Sequence, residues 1–335
     1  MKEPKSHSEY AIEAINLVKI FGAQRVVDGI SLKVPRGSIY GFLGPNGAGK
    51  TTTIRMLTTL LRPDAGSARI MGFDLEKEPG QVRQRIALTG QFASVDEDLS
   101  GRENLILIAR LVGFSGPEAK ARADDLLKAF GLEEAARRQV KNYSGGMRRR
   151  IDIAASIVIP PDLLFLDEPT TGLDPRSRNQ VWDIIRALVH NGTTVFLTTQ
   201  YLEEADQLAD RIGVIDHGKL IAEGTSKELK ALVGAGRLIV HLQTAEDLRK
   251  AAAILESLTG DAVDADERTL KLVVPISDRG EAAAAISRLV MEDLQITDFA
   301  MGQPSLDEVF LTLTGKRPIS SDETEGGAAD VDQAG

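Results

Sequence analysis

The stretch GPNGAGKT, residues 44–51, follows the apolar run Ser38–Leu43 and precedes a segment that should be helical to about Leu61. It matches the P-loop pattern G-x-x-x-x-G-K-[ST] at every fixed position. The glycines let backbone N–H groups wrap a polyphosphate, and the helix start adds favourable partial charge. Lys50 should reach the β- and γ-phosphates, and the Thr51 hydroxyl should ligate Mg²⁺. The sequence therefore predicts a nucleotide-phosphate site between a strand and a helix.

A second segment that could take part in catalysis is LLFLDEP, residues 163–169. In it, four apolar residues precede two carboxylates. An apolar run without alternation suits a central parallel strand that is buried on both faces. At the end of such a strand, Asp167 should hold Mg²⁺ directly or through water. Glu168 could polarise a water for in-line attack on a γ-phosphate. The alternative is a solvated acidic pair, which the P-loop in the same chain disfavours.

The segment YSGGMRRR, residues 143–150, allows three interpretations. Ser144 is a good N-cap, and Gly145 and Gly146 leave the following helix start bare of side chains, which suits phosphate binding. The second interpretation is structural capping with a solvated arginine face, and the third is nucleic-acid binding. We rank phosphate binding first. Because one chain has one γ-phosphate to bind, a second phosphate-binding helix start indicates a site shared between two chains.

The segment TVFLTTQYLEEADQLADRI, residues 194–212, is typical of a buried strand that runs into a helix, with Gln200 at the junction. We expect this glutamine to face the γ-phosphate. Its amide can both donate and accept hydrogen bonds, but it cannot carry a positive charge. Because this amide should stabilise the transition state less than a positively charged side chain would, we expect slow but real hydrolysis of the nucleotide.

Composition limits the class of protein. The chain has 335 residues, enough for two domains, and a net charge of −9, which disfavours a dedicated nucleic-acid binder. It contains no cysteine, which excludes disulfides and thiolate chemistry. No stretch approaches the ~20 apolar residues of a membrane-spanning helix. We expect any membrane part of its function to come from another chain.

The order of apolar and polar segments predicts two domains. Residues 11–232 alternate short strands with helices, which favours an α/β domain with a largely parallel sheet. Residues 233–315 predict a small α+β domain, with Ser305 capping its last helix. Residues 1–10 should be flexible, and the acidic stretch 316–335 should be disordered.

The motifs together resemble those of an ABC-type ATP-binding subunit. GPNGAGKTT, TGQ ending at Gln91, YSGGM, LLFLDEPTTGLD and the strand ending at Gln200 occur in that family's order, over about residues 10–230. The resemblance implies an α/β P-loop NTPase fold with a helical subdomain. It also implies a homodimer that holds ATP and Mg²⁺ at its interface.

The resemblance further implies roles for individual residues. The ATP phosphates and Mg²⁺ would be bound by Gly44, Pro45, Asn46, Gly47, Ala48, Gly49, Lys50, Thr51 and Thr52. The γ-phosphate of the opposite subunit's ATP would be contacted by Ser144, Gly145 and Gly146. Gln91 would sense metal, water and the membrane subunit, Asp174 would lie across the dimer interface, and Phe21 would stack on adenine. Gln200 replaces the family's usual histidine, and Met147 replaces a glutamine.

A narrower resemblance is to ATP-binding subunits of the daunorubicin/doxorubicin-resistance type. GQFASVDEDLSGRENL, TTQYLEEAD and PSLDEVFLTLTG are similar to that group, so the resemblance reaches into the C-terminal domain. It implies a pair of subunits beneath a separate membrane permease, at the cytoplasmic face of the cell membrane. The exported molecule would be a hydrophobic drug or a lipid.

Two other classes of protein fit the sequence less well. A soluble ABC-type ATPase acting on ribosomes or DNA would usually carry two motif sets or a long coiled-coil insertion, and this chain has neither. A P-loop GTPase or kinase would leave the SGG segment unexplained, and no NKxD motif occurs. For the C-terminal domain, a role in pairing or regulation and a purely structural role remain open.

Overall fold

A computed structural model describes residues 8–90, 95–232, 236–260, 262–276, 279–302 and 305–315. These residues form two compact units that part between Thr225 and Ser226. The domain boundary predicted at residue 232 lies after this division, and the short helix Ser226–Ala231 separates the two positions. That helix belongs with the second unit because it packs on the last helix of the chain. Of residues 1–10, which were expected to be flexible, 1–7 lie outside the described residues and Tyr10 begins a strand. The predicted disordered tail, 316–335, also lies outside them.

The first unit is built from ten strands, seven α-helices and two short 3₁₀ helices within its described residues. In chain order the strands and α-helices are β1 (Tyr10–Phe21), β2 (Gln24–Pro35), β3 (Ile39–Leu43), α1 (Lys50–Leu57), β4 (Ala65–Ile70), β5 (Phe73–Asp74), α2 (Pro79–Arg83), β6 (Ile86–Thr89), α3 (Gly101–Leu111), α4 (Gly116–Ala129), α5 (Gly145–Ser156), β7 (Leu163–Asp167), α6 (Pro175–His190), β8 (Thr194–Thr199), α7 (Leu202–Leu208), β9 (Arg211–Asp216) and β10 (Lys219–Gly224).

A six-stranded sheet with the order β10-β9-β3-β8-β7-β6 organises this unit. Its strands are parallel apart from β10, which pairs antiparallel with β9. The largely parallel sheet expected from the sequence is therefore confirmed. Strand β8 lies between β3, which leads into the P-loop, and β7, which ends at Asp167. Since parallel strands end at the same edge, the three segments that follow them meet there.

The central sheet is buried on both faces, which explains the apolar runs without alternation. On β7, Leu163 and Phe165 pack into one core, and Leu164 and Leu166 pack into the other. Phe196 of β8 lies in the first of these cores, with its ring centroid 5.6 Å from that of Phe165. The same core includes the apolar face of α1 and residues of the antiparallel sheet β2-β1-β4-β5. The second core is shared with α3, α4, α5 and α6.

Helix α1 ends at Leu57, four residues before the predicted end near Leu61. Thr58 hydrogen-bonds through its hydroxyl to the Ile54 carbonyl, and Thr59 has a φ of 64°, which is incompatible with a continuing right-handed helix. The predicted hairpin turn at 216–219 joins β9 to β10. Gly218 there has a φ of 78°, as a two-residue hairpin turn requires.

The second unit contains a four-stranded antiparallel sheet with the order β12-β13-β11-β14. Its elements are α8 (Ser226–Ala231), β11 (Arg237–Leu242), α9 (Ala245–Thr259), β12 (Asp264–Asp266), β13 (Lys271–Pro275), α10 (Arg279–Met291), β14 (Ile296–Gly302) and α11 (Leu306–Thr314). Alternate residues of β11 face a core that they share with α9 and α10. Ser305 caps α11 and Gly315 ends it with a φ of 69°, as expected. Over the ranges that the structure describes, no helix is long and apolar enough to cross a membrane.

Candidate active site

The P-loop connects β3 to α1 at the edge where the parallel strands end. The Gly44 amide donates to the Thr199 carbonyl at 3.1 Å, which ties the start of the loop to β8. A Cβ on Gly44 would overlap the Ile215 carbonyl, and one on Gly49, whose φ is 105°, would lie 2.7 Å from the Val26 carbonyl. No side chain caps the start of α1. The backbone thus takes a form that only glycine allows, and the first N–H groups of the helix remain available to a ligand.

Lys50 is the first residue of α1, and its side chain is only 4% exposed. Its ammonium donates to the carbonyls of Gly44 at 2.8 Å and Pro45 at 3.1 Å, and it lies 3.2 Å from the Glu168 carboxylate. Burial lowers the pKa of Lys50, while the neighbouring Glu168 and Asp167 oppose that shift. A phosphate oxygen could replace the Glu168 carboxylate as the partner of this ammonium.

The predicted carboxylate pair lies at the end of β7, directly beside β8. The Thr198 hydroxyl donates to Asp167 at 2.5 Å and accepts from the Glu168 amide at 3.1 Å. Glu168 has a φ of 47°, in the left-handed region that residues other than glycine rarely adopt. Backbone strain of this kind clusters at functional sites. One hydroxyl therefore orients the predicted metal ligand and the backbone of the predicted base.

A cavity of about 200 Å³ lies over the start of α1. Its lining consists of Val26, Asn46, Gly47, Gly49, Lys50, Thr51, Thr52 and Glu168. The P-loop and the predicted base thus border one cavity, as the motifs predict. Thr51 lines this cavity and Asp167 directly precedes its lining residue Glu168; they offer a hydroxyl and a carboxylate, the hard oxygen ligands that Mg²⁺ prefers alongside substrate phosphates. The residues fit the expected ion.

Gln200 lies at the predicted junction, after β8 ends at Thr199 and before α7 begins at Leu202. Its side-chain oxygen Oε1 is buried and has no hydrogen-bond partner among the described residues. An unpaired buried carbonyl costs about 1–3 kcal/mol, and this one lies after β8, at the edge of the sheet where the P-loop begins. The role predicted for Gln200 stays a prediction.

Helix α5 begins as the sequence predicts. Ser144 accepts a hydrogen bond from the Met147 amide at 3.3 Å, which confirms it as the N-cap. Ser144 and Gly145 are exposed, whereas Gly146 is buried against Ser177 of α6, with no room for a Cβ. The Met147 side chain packs against the second core of the first unit.

The start of α6 is held by Asp174, the residue expected across the dimer interface. Its carboxylate accepts from the amide of Ser177 at 2.9 Å and from its hydroxyl at 2.6 Å. Asp174 is exposed, and these two bonds hold the pKa of its carboxyl below the usual value. The packing of Gly146 against Ser177 therefore joins the starts of α5 and α6.

The arginines that follow Ser144 form only a partly solvated face, because Arg148 is 37% exposed whereas Arg149 is 11% exposed. Arg148 donates to the Lys141 carbonyl at 2.6 Å, and Arg150 donates to the Phe130 carbonyl at 2.9 Å. Arg149 donates to three carbonyls and is largely buried. Backbone carbonyls in loops receive no hydrogen bond from a neighbouring strand, and these guanidinium groups provide the missing donors. Their engagement within the chain leaves the nucleic-acid interpretation without support.

A second cavity of about 460 Å³ lies beside the start of α5. It is lined by Gly145, Arg148, Arg149, Asp152, Glu168, Pro169, Thr171, Gly172 and Leu173. Its lining shares only Glu168 with that of the P-loop cavity. The two predicted phosphate-binding helix starts therefore border different cavities within one chain.

Two further predicted residues have different outcomes. Phe21 ends β1 and is 49% exposed, with the Lys19 ammonium 5.6 Å from its ring centroid. Its ring is thus accessible for stacking on a base. Gln91 lies outside the described residues, and Gly90 is the last residue described before it.

Glu204 is a residue that sequence reasoning missed. It is 1% exposed, and its Oε1 accepts from the Thr170 hydroxyl at 2.7 Å and from the Trp182 indole at 3.2 Å. Burial raises the pKa of this carboxyl, and these hydrogen bonds oppose the shift. It lies in α7, and its partner Thr170 is 34 residues away, so no local sequence pattern points to it. Through its hydrogen bond with Thr170, Glu204 stabilises the loop that follows Glu168.

A P-loop after β3, a carboxylate pair at the end of β7 and strand β8 between them define a P-loop NTPase, and the bare start of α5 fits the ABC type. Family comparison agrees. The family model described as ABC transporter matches residues 27–171, and the model described as ATP-binding protein DrrA1-3-like, C-terminal domain, matches residues 224–314.

Curated relatives extend this likeness over most of the chain. The daunorubicin/doxorubicin resistance ATP-binding protein DrrA of Streptomyces peucetius is 57% identical over 95% of this chain and 96% of its own length. The doxorubicin resistance ATP-binding protein DrrA of Mycobacterium tuberculosis is 46% identical over 92% of this chain and 95% of its own. A solved ATP-binding subunit of an ABC transporter has 29% identity and a TM-score of 0.59, and covers 66% of this chain and 92% of its own.

The chain belongs to the family of ABC transporter ATP-binding proteins of the daunorubicin/doxorubicin-resistance type. It is an ATP-hydrolysing subunit of a transporter. The fold class and the family inferred from the motifs are confirmed.

Proposed function

We propose that two copies of this chain close head-to-tail around ATP and drive export through a separate membrane permease. Each ATP lies between the P-loop of one copy and Ser144, Gly145 and Gly146 of the other. The observation that carries this proposal is the exposed, bare start of α5, which borders a different cavity from the P-loop. A phosphate-binding helix start outside its own chain's nucleotide cavity is explained by a second copy.

The chemistry is ATP hydrolysis by in-line attack of water. Lys50 and the P-loop amides bind the phosphates, and Glu168 polarises the attacking water. Gln200 donates through its side-chain NH₂ to the γ-phosphate, and its unpaired Oε1 remains available as an acceptor. Mg²⁺ bound by Thr51, Asp167 and Gln91 would neutralise charge on the phosphates.

The remaining site residues serve binding and coupling. The rest of the loop that encloses the phosphates is Gly44, Pro45, Asn46, Gly47, Ala48, Gly49 and Thr52. Phe21 stacks on adenine with its exposed ring, and Asp174 contributes to the dimer interface from its exposed position. The segment after Gln91 passes the motion to the permease.

The transported molecule is a hydrophobic drug of the anthracycline kind or a lipid, and the complex works at the cytoplasmic face of the cell membrane. Support comes from the relatives, which are described as daunorubicin and doxorubicin resistance proteins and cover nearly the whole chain. A soluble ATPase acting on ribosomes or DNA is not favoured, because the family match extends through the C-terminal domain.

The variant Glu168→Gln tests the dimer. It should bind ATP, form a dimer by light scattering, and lose turnover by about 10²-fold or more, because the general base is gone. Glu203→Gln, which removes an exposed carboxylate from α7, is the matched control and should turn over normally. Normal turnover in Glu168→Gln, or persistent monomer with ATP, would overturn the proposal.

Export is tested with the permease that co-purifies with this protein, placed in inverted membrane vesicles. ATP should drive uptake of doxorubicin or a fluorescent lipid, and Glu168→Gln should abolish it. ATPase activity that co-sediments with ribosomes, without vesicle uptake, would favour the alternative function.

A further inference from the structure

Arg149 lies five residues after the N-cap Ser144. Unlike the other two arginines at the start of α5, it contacts the segments at the ends of β6 and β7. Its guanidinium donates to the carbonyls of Gly90 at 2.8 Å, Asp167 at 3.1 Å and Pro169 at 2.9 Å. Its side chain is only 11% exposed. One side chain thus joins α5 to the ends of two neighbouring strands.

The three carbonyls belong to segments with predicted catalytic roles. Gly90 follows β6 and immediately precedes Gln91, while Asp167 and Pro169 flank Glu168 on either side. Backbone carbonyls beyond the end of a strand have lost their ladder partners and need donors. Arg149 supplies those donors at both edges of the predicted base.

Arginine is the residue type that these contacts require. The guanidinium is planar and presents five N–H donors in a fixed fork, so it can reach three carbonyls at once, whereas a lysine presents one ammonium. Asp152, one turn further along α5, lies 3.8 Å from the guanidinium and is 3% exposed. Its carboxylate balances the buried charge, and a charged donor makes stronger hydrogen bonds than a neutral one.

We propose that Arg149 is a positioning residue that makes the start of α5 and the loop carrying Glu168 move as one body. The inference rests on the proposed function. In the closed dimer, Ser144 to Gly146 face the partner's ATP, while Glu168 faces the ATP of its own chain. When Ser144 to Gly146 bind the phosphate of the partner's ATP, Arg149 therefore positions Glu168 at the ATP of its own chain.

The variant Arg149→Lys keeps the charge and loses the fork. Its kcat for ATP should fall by about tenfold or more, because small displacements of catalytic groups are costly, while its Kd for ADP should stay within about threefold. The matched control is Arg122→Lys. Arg122 donates two hydrogen bonds to the carbonyls of Ile157 and Val158 just beyond the other end of α5. This control should keep kcat within about threefold of wild type.

Hydrogen–deuterium exchange supplies a readout that does not depend on turnover. In Arg149→Lys, the hydrogen-bonded amides of Met147 and Arg148 and those of Glu168 and Thr171 should lose protection together. In Arg122→Lys, both segments should keep it. The two measurements separate positioning from a general loosening of the helix.

Wild-type kcat in Arg149→Lys, or an equal loss of kcat in Arg122→Lys, would overturn the inference. If the wild-type protein hydrolyses no ATP, the proposed function fails, and the exchange experiment still decides the role of Arg149. Joint loss of protection only in Arg149→Lys supports the positioning role. Unchanged protection in that variant overturns it.

Discussion

The Lys50 ammonium lies 3.2 Å from the Glu168 carboxylate, so the cation that should bind phosphate and the group that should activate water are paired with each other. Both side chains are largely buried, at 4% and 10% exposure. A partly buried ion pair is screened less by solvent than a surface pair. Nucleotide phosphates and Glu168 therefore compete for one ammonium, and phosphate binding releases the base.

This competition predicts that Glu168→Gln binds ADP more tightly than wild type. Removing the carboxylate frees Lys50 for the β-phosphate, and a modest ion pair corresponds to an affinity gain of about three- to tenfold. ADP is the suitable ligand because it cannot be hydrolysed, and calorimetry measures its Kd. Weaker ADP binding in this variant would show that the pair does not compete with phosphate.

The unpaired oxygen of Gln200 predicts opposite effects of Gln200→Ala on activity and stability. The kcat for ATP should fall about tenfold or more, since the amide that can donate through its NH₂ to phosphate and accept through Oε1 is lost. The melting temperature should be unchanged or higher, because an unsatisfied buried carbonyl is removed. Gln200→His should retain turnover. If the alanine variant hydrolyses ATP as fast as wild type, Gln200 is only the end of a strand.

The buried Glu204 predicts a pH-dependent difference in stability between wild type and Glu204→Gln. Burial raises the pKa of this carboxyl above its usual 4.5. A group with a raised folded-state pKa contributes fully below its unfolded pKa and loses that contribution as the pH rises through its folded pKa. The urea midpoint of wild type relative to the variant should therefore fall as the pH rises above 4.5 and through the raised folded-state pKa. A difference that stays constant or grows with pH would contradict the shift.

The two glycines after Ser144 should respond differently to alanine. A Cβ on Gly146 would overlap the Ser177 hydroxyl and displace the bonds that cap α6, so Gly146→Ala should cost about 1–3 kcal/mol in the free energy of unfolding. A Cβ on Gly145 would lie 3.6 Å from Leu173, an ordinary contact, so Gly145→Ala should change it by less than about 0.5 kcal/mol. Urea denaturation measures both, and equal effects would contradict the packing argument.

The strands of the central sheet could be placed from sequence because each is an apolar run that ends at a motif. Leu163–Asp167 and Thr194–Thr199 lie within one residue of their predicted limits. The limits of the strands in the antiparallel sheet of the first unit, β2-β1-β4-β5, could not be predicted from the sequence. Its first strand contains register shifts near Ile15 and mixes buried with exposed positions, so it shows no simple alternation.

The chemistry of the site was predictable wherever a motif carries it locally. The P-loop, Asp167 and Glu168 are brought together as expected, because the order β3-β8-β7 places their segments at one edge. Arg149 and Glu204 could not be assigned from sequence. Their partners, such as Gly90 and Thr170, lie 59 and 34 residues away, and a long-range carbonyl or hydroxyl contact leaves no local pattern.

The chain contains a single tryptophan, Trp182, which is 6% exposed. Its indole nitrogen and the Thr170 hydroxyl bond the same oxygen of Glu204, so the tryptophan is connected to the loop after Glu168 by one carboxylate. Tryptophan emission responds to the polarity and hydrogen bonding around the indole. The protein thus carries its own fluorescent reporter beside the catalytic loop, and rapid mixing with nucleotide can time the rearrangement of that loop without any added label.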